Sequence, residues 1–252
     1  MTYIVNIGFF IDNDVTVDIT TTACYNRIVI KKITTNGGLK MKAQKYLDIL
    51  REIKDVAFAT VDENGKPQVR IIDVMIVENE KLYFCTARGK AFYQQLIQNE
   101  NVAITGMNQA FQMIRLNGVI YRLSQQKEWI DRIFKENPSM NHVYPGESRY
   151  ILEAFCIEQG EGEFFDLGKE PIVIESFILG NEDYQQKGFI INEDCIHCGK
   201  CERICPQQCI KDFVISQTHC LHCGLCYEEC PVKAIVKSCL LYTSPSPRDM
   251  RR

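Results

Sequence analysis

The sequence has no run of 18 or more apolar residues, so no segment reads as a membrane-spanning helix. Its net charge is only −3 over 252 residues. That leaves no basic excess of the kind that neutralises a phosphate backbone, and nucleic acid is not expected as a partner. An export signal is missing too. The apolar stretch 3–11 is broken by Asn6 and has neither a positive leading region nor a small-residue cleavage site. These absences point to a protein of the cytoplasm that uses no membrane. The apolar share, 46%, and the charged share, 24%, are ordinary for a globular chain. The length allows one sizeable domain and one small one.

Cysteine is what the sequence has in excess: 13 residues, nine of them between Cys195 and Cys230. A secreted disulfide scaffold would be short and would follow a signal sequence. Tight C-x-x-C groups without an export signal point instead to metal in a reducing compartment.

Residues 195–206 read CIHCGKCERICP and residues 220–231 read CLHCGLCYEECP, the second starting 25 residues after the first. Both fit C-x₂-C-x₂-C-x₃-C-P. Three thiolates two residues apart wrap a loop around one face of a cubane. The fourth, pushed away by the proline after it, reaches the other cluster. The expected ligand sets are Cys195, Cys198, Cys201 and Cys230 for one [4Fe–4S] cluster, and Cys220, Cys223, Cys226 and Cys205 for the other. Gly199 and Gly224 leave the backbone free to bend. Two Cys₄ zinc sites are the competing reading, but zinc ribbons set two C-x-x-C pairs well apart. Over residues 190–237 the sequence resembles bacterial two-cluster ferredoxins. In the repeat Cys209 aligns with Ala234, so it reads as a small core residue and not a ninth ligand. His197 and His222 hold matching places where every ligand position is filled, so they are expected to face solvent or to sit behind the ligands.

Upstream, the periodicities predict a helix over 42–54 and strands over 56–61, 67–77 and 81–86, with Asn64 and Gly65 as a hairpin turn. A short helix is predicted over 90–98, strands over 102–107 and 111–123, and a helix over 125–135 around the single tryptophan, Trp129. Strands over 150–157 and 161–167 close the set. Many strands, short turns and few helices predict an α+β chain built on a small antiparallel barrel.

Specific text carries a second resemblance: VAFATVDENGKPQVRII at 56–72, LYFCTARGK at 82–90, Gln95-Leu96, and NVAI at 101–104. Over residues 42–167 the chain resembles the FMN-binding split barrels of the pyridoxamine 5′-phosphate oxidase-like family. The resemblance implies that Arg70 and Lys90 hold the FMN phosphate. The backbones of Ile71, Ile72, Cys85 and Thr86 would line the isoalloxazine, and Gln95 would lie near the ribityl chain. It also implies a homodimer with FMN at the subunit interface. The chemistry agrees, since Arg offers a fork to phosphate and Lys a point charge at a helix start. Without the resemblance, each would read as a solvated charge. The further C-terminal motifs with which the family's oxidases bind pyridoxal phosphate are not found, and oxidation of vitamin B6 is not expected.

The expected organisation is a non-native or upstream-translated leader over 1–40, a flavin domain over 41–167, a linker over 168–189, a two-cluster ferredoxin domain over 190–238, and an adapter-derived tail over 239–252. The leader has a rival reading as a true extension, and the tail as a natural Pro/Ser-rich segment. The fusion resembles those of strict anaerobes. It implies an oxidoreductase passing electrons between two [4Fe–4S] clusters and FMN, served by a redox partner such as ferredoxin or a reductase. A flavin and iron–sulfur redox sensor is the alternative. No catalytic residue is assigned.

Overall fold

A computed structural model describes residues 43–180 and 188–237; the expected leader and tail lie outside the described residues. The first described element is α1 (Gln44–Ile53), whose Tyr46, Leu47 and Leu50 fall on one face and are buried. β1 (Asp55–Val61) buries Val56, Phe58 and Thr60 in strict alternation. It turns into β2 (Pro67–Asp73) at the expected hairpin. Gly65 has φ +75°, and the Asp62 carboxylate accepts the amides of Asn64 and Lys66 at 2.9 and 3.0 Å.

The single strand expected over 67–77 is broken. The Val74 amide turns to Lys54 O at 2.8 Å and the Met75 amide to Tyr83 O at 2.9 Å, which starts a separate β3 (Ile76–Glu78). Then follow β4 (Lys81–Ala87), α2 (Ala91–Gln98), β5 (Asn101–Met107), β6 (Gln112–Arg122), α3 (Gln126–Glu136) and the single turn α4 (Met140–Val143). The two strands expected over 150–157 and 161–167 are one 15-residue strand, β7 (Leu152–Asp166). Part of the expected 168–189 linker is also a strand, β8 (Val173–Leu179), which buries Ile174, Phe177 and Leu179.

The strands form one antiparallel sheet in the order β2-β1-β5-β6-β7-β4-β3, with β8 also on β7. β7 lies against β6 along its length. Its first half, Leu152 to Ile157, pairs with β4, and its second half, Gly160 to Asp166, with β8. The sheet curls. β1 and β4 share no ladder, yet the Phe58 and Phe84 rings meet at 4.8 Å, and Phe92 and Phe155 complete the aromatic interior. This is a split barrel. α3 covers a second core of Tyr83, Cys85, Ile130, Ile133, Phe134 and Cys156.

The C-terminal unit is a pseudo-repeat. β9 (Phe189–Ile191) pairs with β12 (Ile235–Lys237), and β10 (Ile210–Lys211) with β11 (Val214–Ile215). Between them lie two cysteine loops, each leading into a short helix, α5 (Lys200–Ile204) or α6 (Leu225–Glu229). Gly199 and Gly224 precede these helices with φ +66° and +82°. That left-handed turn is where a side chain would be strained.

Candidate functional site

The two cysteine loops and the Cys-Pro corners enclose two cavities. One is lined by Cys195, Cys198, Cys201 and Cys230. The other is lined by Cys205, Cys220, Cys223 and Cys226, with Cys209 beside them. Each cavity thus receives three thiols from one loop and the fourth from the far end of the other. Four thiols set around each cavity in this pattern fit a polynuclear cluster.

The local electrostatics suit thiolates at the two Cys-Pro corners. Burial alone would raise Cys205. The amide of Cys209, its thiol, and the amides of Gln207 and Gln208 outweigh that and hold Cys205 below the usual thiol value. Burial also opposes ionisation of Cys230, and the amides of Ala234, Val232, Ile235 and Lys233 reverse it in the same way. The proline makes this possible by ending the short helix and turning the following amides onto the sulfur. Deeper in the loops, burial pushes Cys201 and Cys220 up, and Cys226 up to about 11.

The matched histidines differ. His197 is exposed with its ring edge-on to Phe213 at 4.5 Å. His222 is half-buried, and its Nε2 is buried with no hydrogen-bond partner.

In the barrel, the structure brings some of the expected flavin residues together. Arg70 donates to Thr60 Oγ1 at 2.5 Å and to Gln95 Oε1 at 2.7 Å, and its guanidinium lies 4.6 Å from the centre of the Phe92 ring. Thr60 in turn donates to Gln95 at 2.6 Å. None of these partners is a carboxylate. Arg70 is half-buried, and desolvation lowers its pKa. A half-buried cation among neutral groups, with N–H donors left over from its five, is suited to an anion. By contrast, Arg122 and Arg132 are each fully engaged by carboxylates, at Glu153 and Glu78.

Lys90 caps the start of α2 and is exposed, two residues before the Phe92 ring on which Arg70 rests. Arg70, over the Phe92 ring, and Lys90, at the N-cap, both stand at the first turn of α2. Thr86 is 2% exposed and its Oγ1 has no partner, a buried polar atom left for something else. Cys85 is buried, with its thiol pushed up to about 12 by burial and further by Asp73. The Ile71 side chain points outward and Ile72 is half-buried.

Sequence reasoning missed Thr60 and Phe92, the residues that orient Arg70. A signal for Thr60 was present, since it is the polar member of an otherwise apolar buried series, Val56-Phe58-Thr60. Nothing in the text marks Phe92, because its role depends on where the helix crosses β1.

Residues 43–145 match the family model described as pyridoxamine 5′-phosphate oxidase. Residues 189–211 and 213–236 each match the 4Fe–4S binding domain. No curated protein matches the chain. Similar solved structures include a NimC/NimA family protein from Clostridium acetobutylicum, 27% identical with a TM-score of 0.47, covering 55% of this chain and 92% of its own. A pyridoxamine 5′-phosphate oxidase-related, FMN-binding protein from Nostoc punctiforme is 14% identical with a TM-score of 0.39, covering 57% and 98%. Both alignments span about half of this chain.

Proposed function

We propose, for a chain that is a pyridoxamine 5′-phosphate oxidase-like split barrel joined to a 4Fe–4S binding domain, that it is an oxidoreductase holding two [4Fe–4S] clusters and one FMN. The observation that carries this reading is the pair of four-cysteine cavities in the same chain as a half-buried arginine whose side-chain partners, Thr60 and Gln95, are both neutral. Cys195, Cys198, Cys201 and Cys230 hold one cluster, and Cys205, Cys220, Cys223 and Cys226 the other. Arg70 and Lys90 take the FMN phosphate at the first turn of α2, Gln95 fixes Arg70 and meets the ribityl chain, and the buried hydroxyl of Thr86 finds its partner in the flavin. The backbones of Ile71, Ile72 and Cys85 line the ring. Bound together, the cofactors supply one-electron steps on the cluster side and one- or two-electron steps on the flavin side.

The barrel supports pairing with a second copy. Among the described residues β2 is an edge strand, and its Val69 and Ile71 side chains are 72% and 63% exposed. Beside it runs an open groove lined by Ala59, Ala103, Gly118 and Gly160. A homodimer covers this apolar edge. A ferredoxin or a reductase is the external redox partner.

The test is anaerobic purification followed by iron, sulfide and flavin analysis, with binding measured on variants. Arg70→Ala and Lys90→Ala should each weaken FMN by about 1.5–3 kcal/mol, the size of a charge-assisted hydrogen bond, and leave riboflavin almost unaffected. Equal loss of both ligands would assign these residues to the fold and not to the phosphate.

A further inference from the structure

Among the described residues of the C-terminal unit, Cys209 is the cysteine left over after two sets of four. Its sulfur lies 3.5 Å from Cys205 Sγ, within hydrogen-bond reach. It is 7% exposed and lines the same cavity as Cys205 and Cys220. In the other half of the pseudo-repeat, Ala234 occupies the matching place in the other cavity and brings only a methyl group. The two cavities agree in their four thiols, so this is a difference in chemistry between matched sites. The cavity with the extra thiol is also the one on the barrel side. His219, next to Cys220, contacts Ile172 O through Nδ1 at 2.8 Å, just ahead of β8.

A cluster ligand must be a thiolate, so Cys205 and Cys220 give up their protons when a cluster is held. Cys209 is not in a ligand position and keeps its own. It is then the only possible S–H donor of the three. Hydrogen bonds to the ligand sulfurs are among the levers that set a cluster's potential. A donor withdraws charge from the sulfur and favours the reduced, more negative state. We infer that Cys209 is a tuning residue, whose thiol donates to Cys205 and makes the barrel-side centre the more easily reduced of the two. This rests on the two-cluster reading above.

The experiment is an anaerobic redox titration of the full chain, followed by electron paramagnetic resonance, with iron counted in every sample. In Cys209→Ala, and in the volume-matched Cys209→Val, the higher of the two potentials should fall. Its reduction equilibrium should shift by about threefold to tenfold, tenfold being about 59 mV for one electron. The lower potential should stay. Cys209→Ser, which retains a donor, should lie closer to the parent. Unchanged potentials, equal shifts of both centres, or a shift of the lower one alone would overturn the inference. So would loss of half the iron in both donor-less variants, which would make Cys209 a ligand. A parent protein without iron and sulfide fails the cofactor reading itself, and is told apart before any variant is made.

Discussion

Glu153 shows what single residues contribute to holding α2 onto the barrel sheet. It lies on β7 opposite Thr86 and is 5% exposed. Arg122 donates to it from Nε and Nη2 at 2.6 and 2.9 Å, and Tyr93 from its hydroxyl at 2.8 Å. Tyr93 is on α2, so this carboxylate ties that helix to the sheet from one side, as the Gln95–Arg70 contact does from the other. The Arg122 hydrogen bond outweighs burial and, with Tyr93, holds Glu153 below the usual carboxylate range. A depressed folded value stabilises the fold above the unfolded glutamate value of about 4.3. That contribution disappears as the pH falls through the lower folded value. Arg122 is half exposed, so the net effect is discounted for solvent. Glu153→Gln should cost about 1–2 kcal/mol at neutral pH. In urea melts, the gap between parent and variant should be constant near neutrality and narrow below about pH 4. A gap that ignores pH would mean that Glu153 acts through shape alone.

The residue scale is also where the sequence was most legible for the C-terminal unit and least for the barrel. Cysteine spacing is a covalent record of a site, so the text itself groups the eight sulfurs that the structure arranges around two cavities. Arg70 carries no such mark. Its proposed role rests on its neutral partners, Thr60 and Gln95, and that neighbourhood is a property of the folded sheet.

At the scale of elements, helices and hairpins with local signals were legible. α1, α2 and α3 fall within a residue or two of their periodicities, and Asn64 with Gly65 makes the expected turn. The differences arise where long-range pairing overrides local text. The expected gap over 158–160 is closed, and β7 runs through Gly160 and Gly162. Glycine is required there by close approach. A Cβ on Gly160 would stand 2.2 Å from Asn117 O, and one on Gly162 would stand 2.1 Å from the Phe177 ring. At this point the register of β6 against β7 shifts between Val119 and Ile120, and β7 exchanges β4 for β8 as its second neighbour. Gly160→Ala should therefore cost about 2–3 kcal/mol by forcing the strands apart. Gly89→Ala, with nothing within 4 Å of the added carbon, should stay within about 0.5 kcal/mol. Thermal melts of both variants check this. A Gly160→Ala protein as stable as the Gly89→Ala control would show that the ladder relaxes freely. The β8 strand escaped the sequence reading for a related reason: its short buried series, Ile174, Phe177 and Leu179, acquires meaning only against Tyr46 of α1, whose ring stacks on Phe177 at 4.4 Å.

At the scale of the whole molecule, β8 changes the relation expected between the two cofactor units. A structureless linker of about twenty residues would allow many placements. The chain instead adds a strand to the barrel sheet before it leaves for the C-terminal unit. The His219 contact to Ile172 O then holds the second cysteine loop to the start of that strand. On the proposed function, electrons leaving the barrel-side centre would have a protein path into the sheet that carries Arg70. We expect that, when the holoprotein is reduced in stopped flow by a donor that reacts with the iron–sulfur centres, flavin bleaching follows with a rate independent of protein concentration. His219→Ala, which removes the contact but no proposed ligand, should slow that phase while leaving iron and flavin content unchanged. A rate that climbs in proportion to concentration would show that the clusters serve a separate molecule, and the chain would then be an electron carrier or sensor whose two cofactor sites work apart.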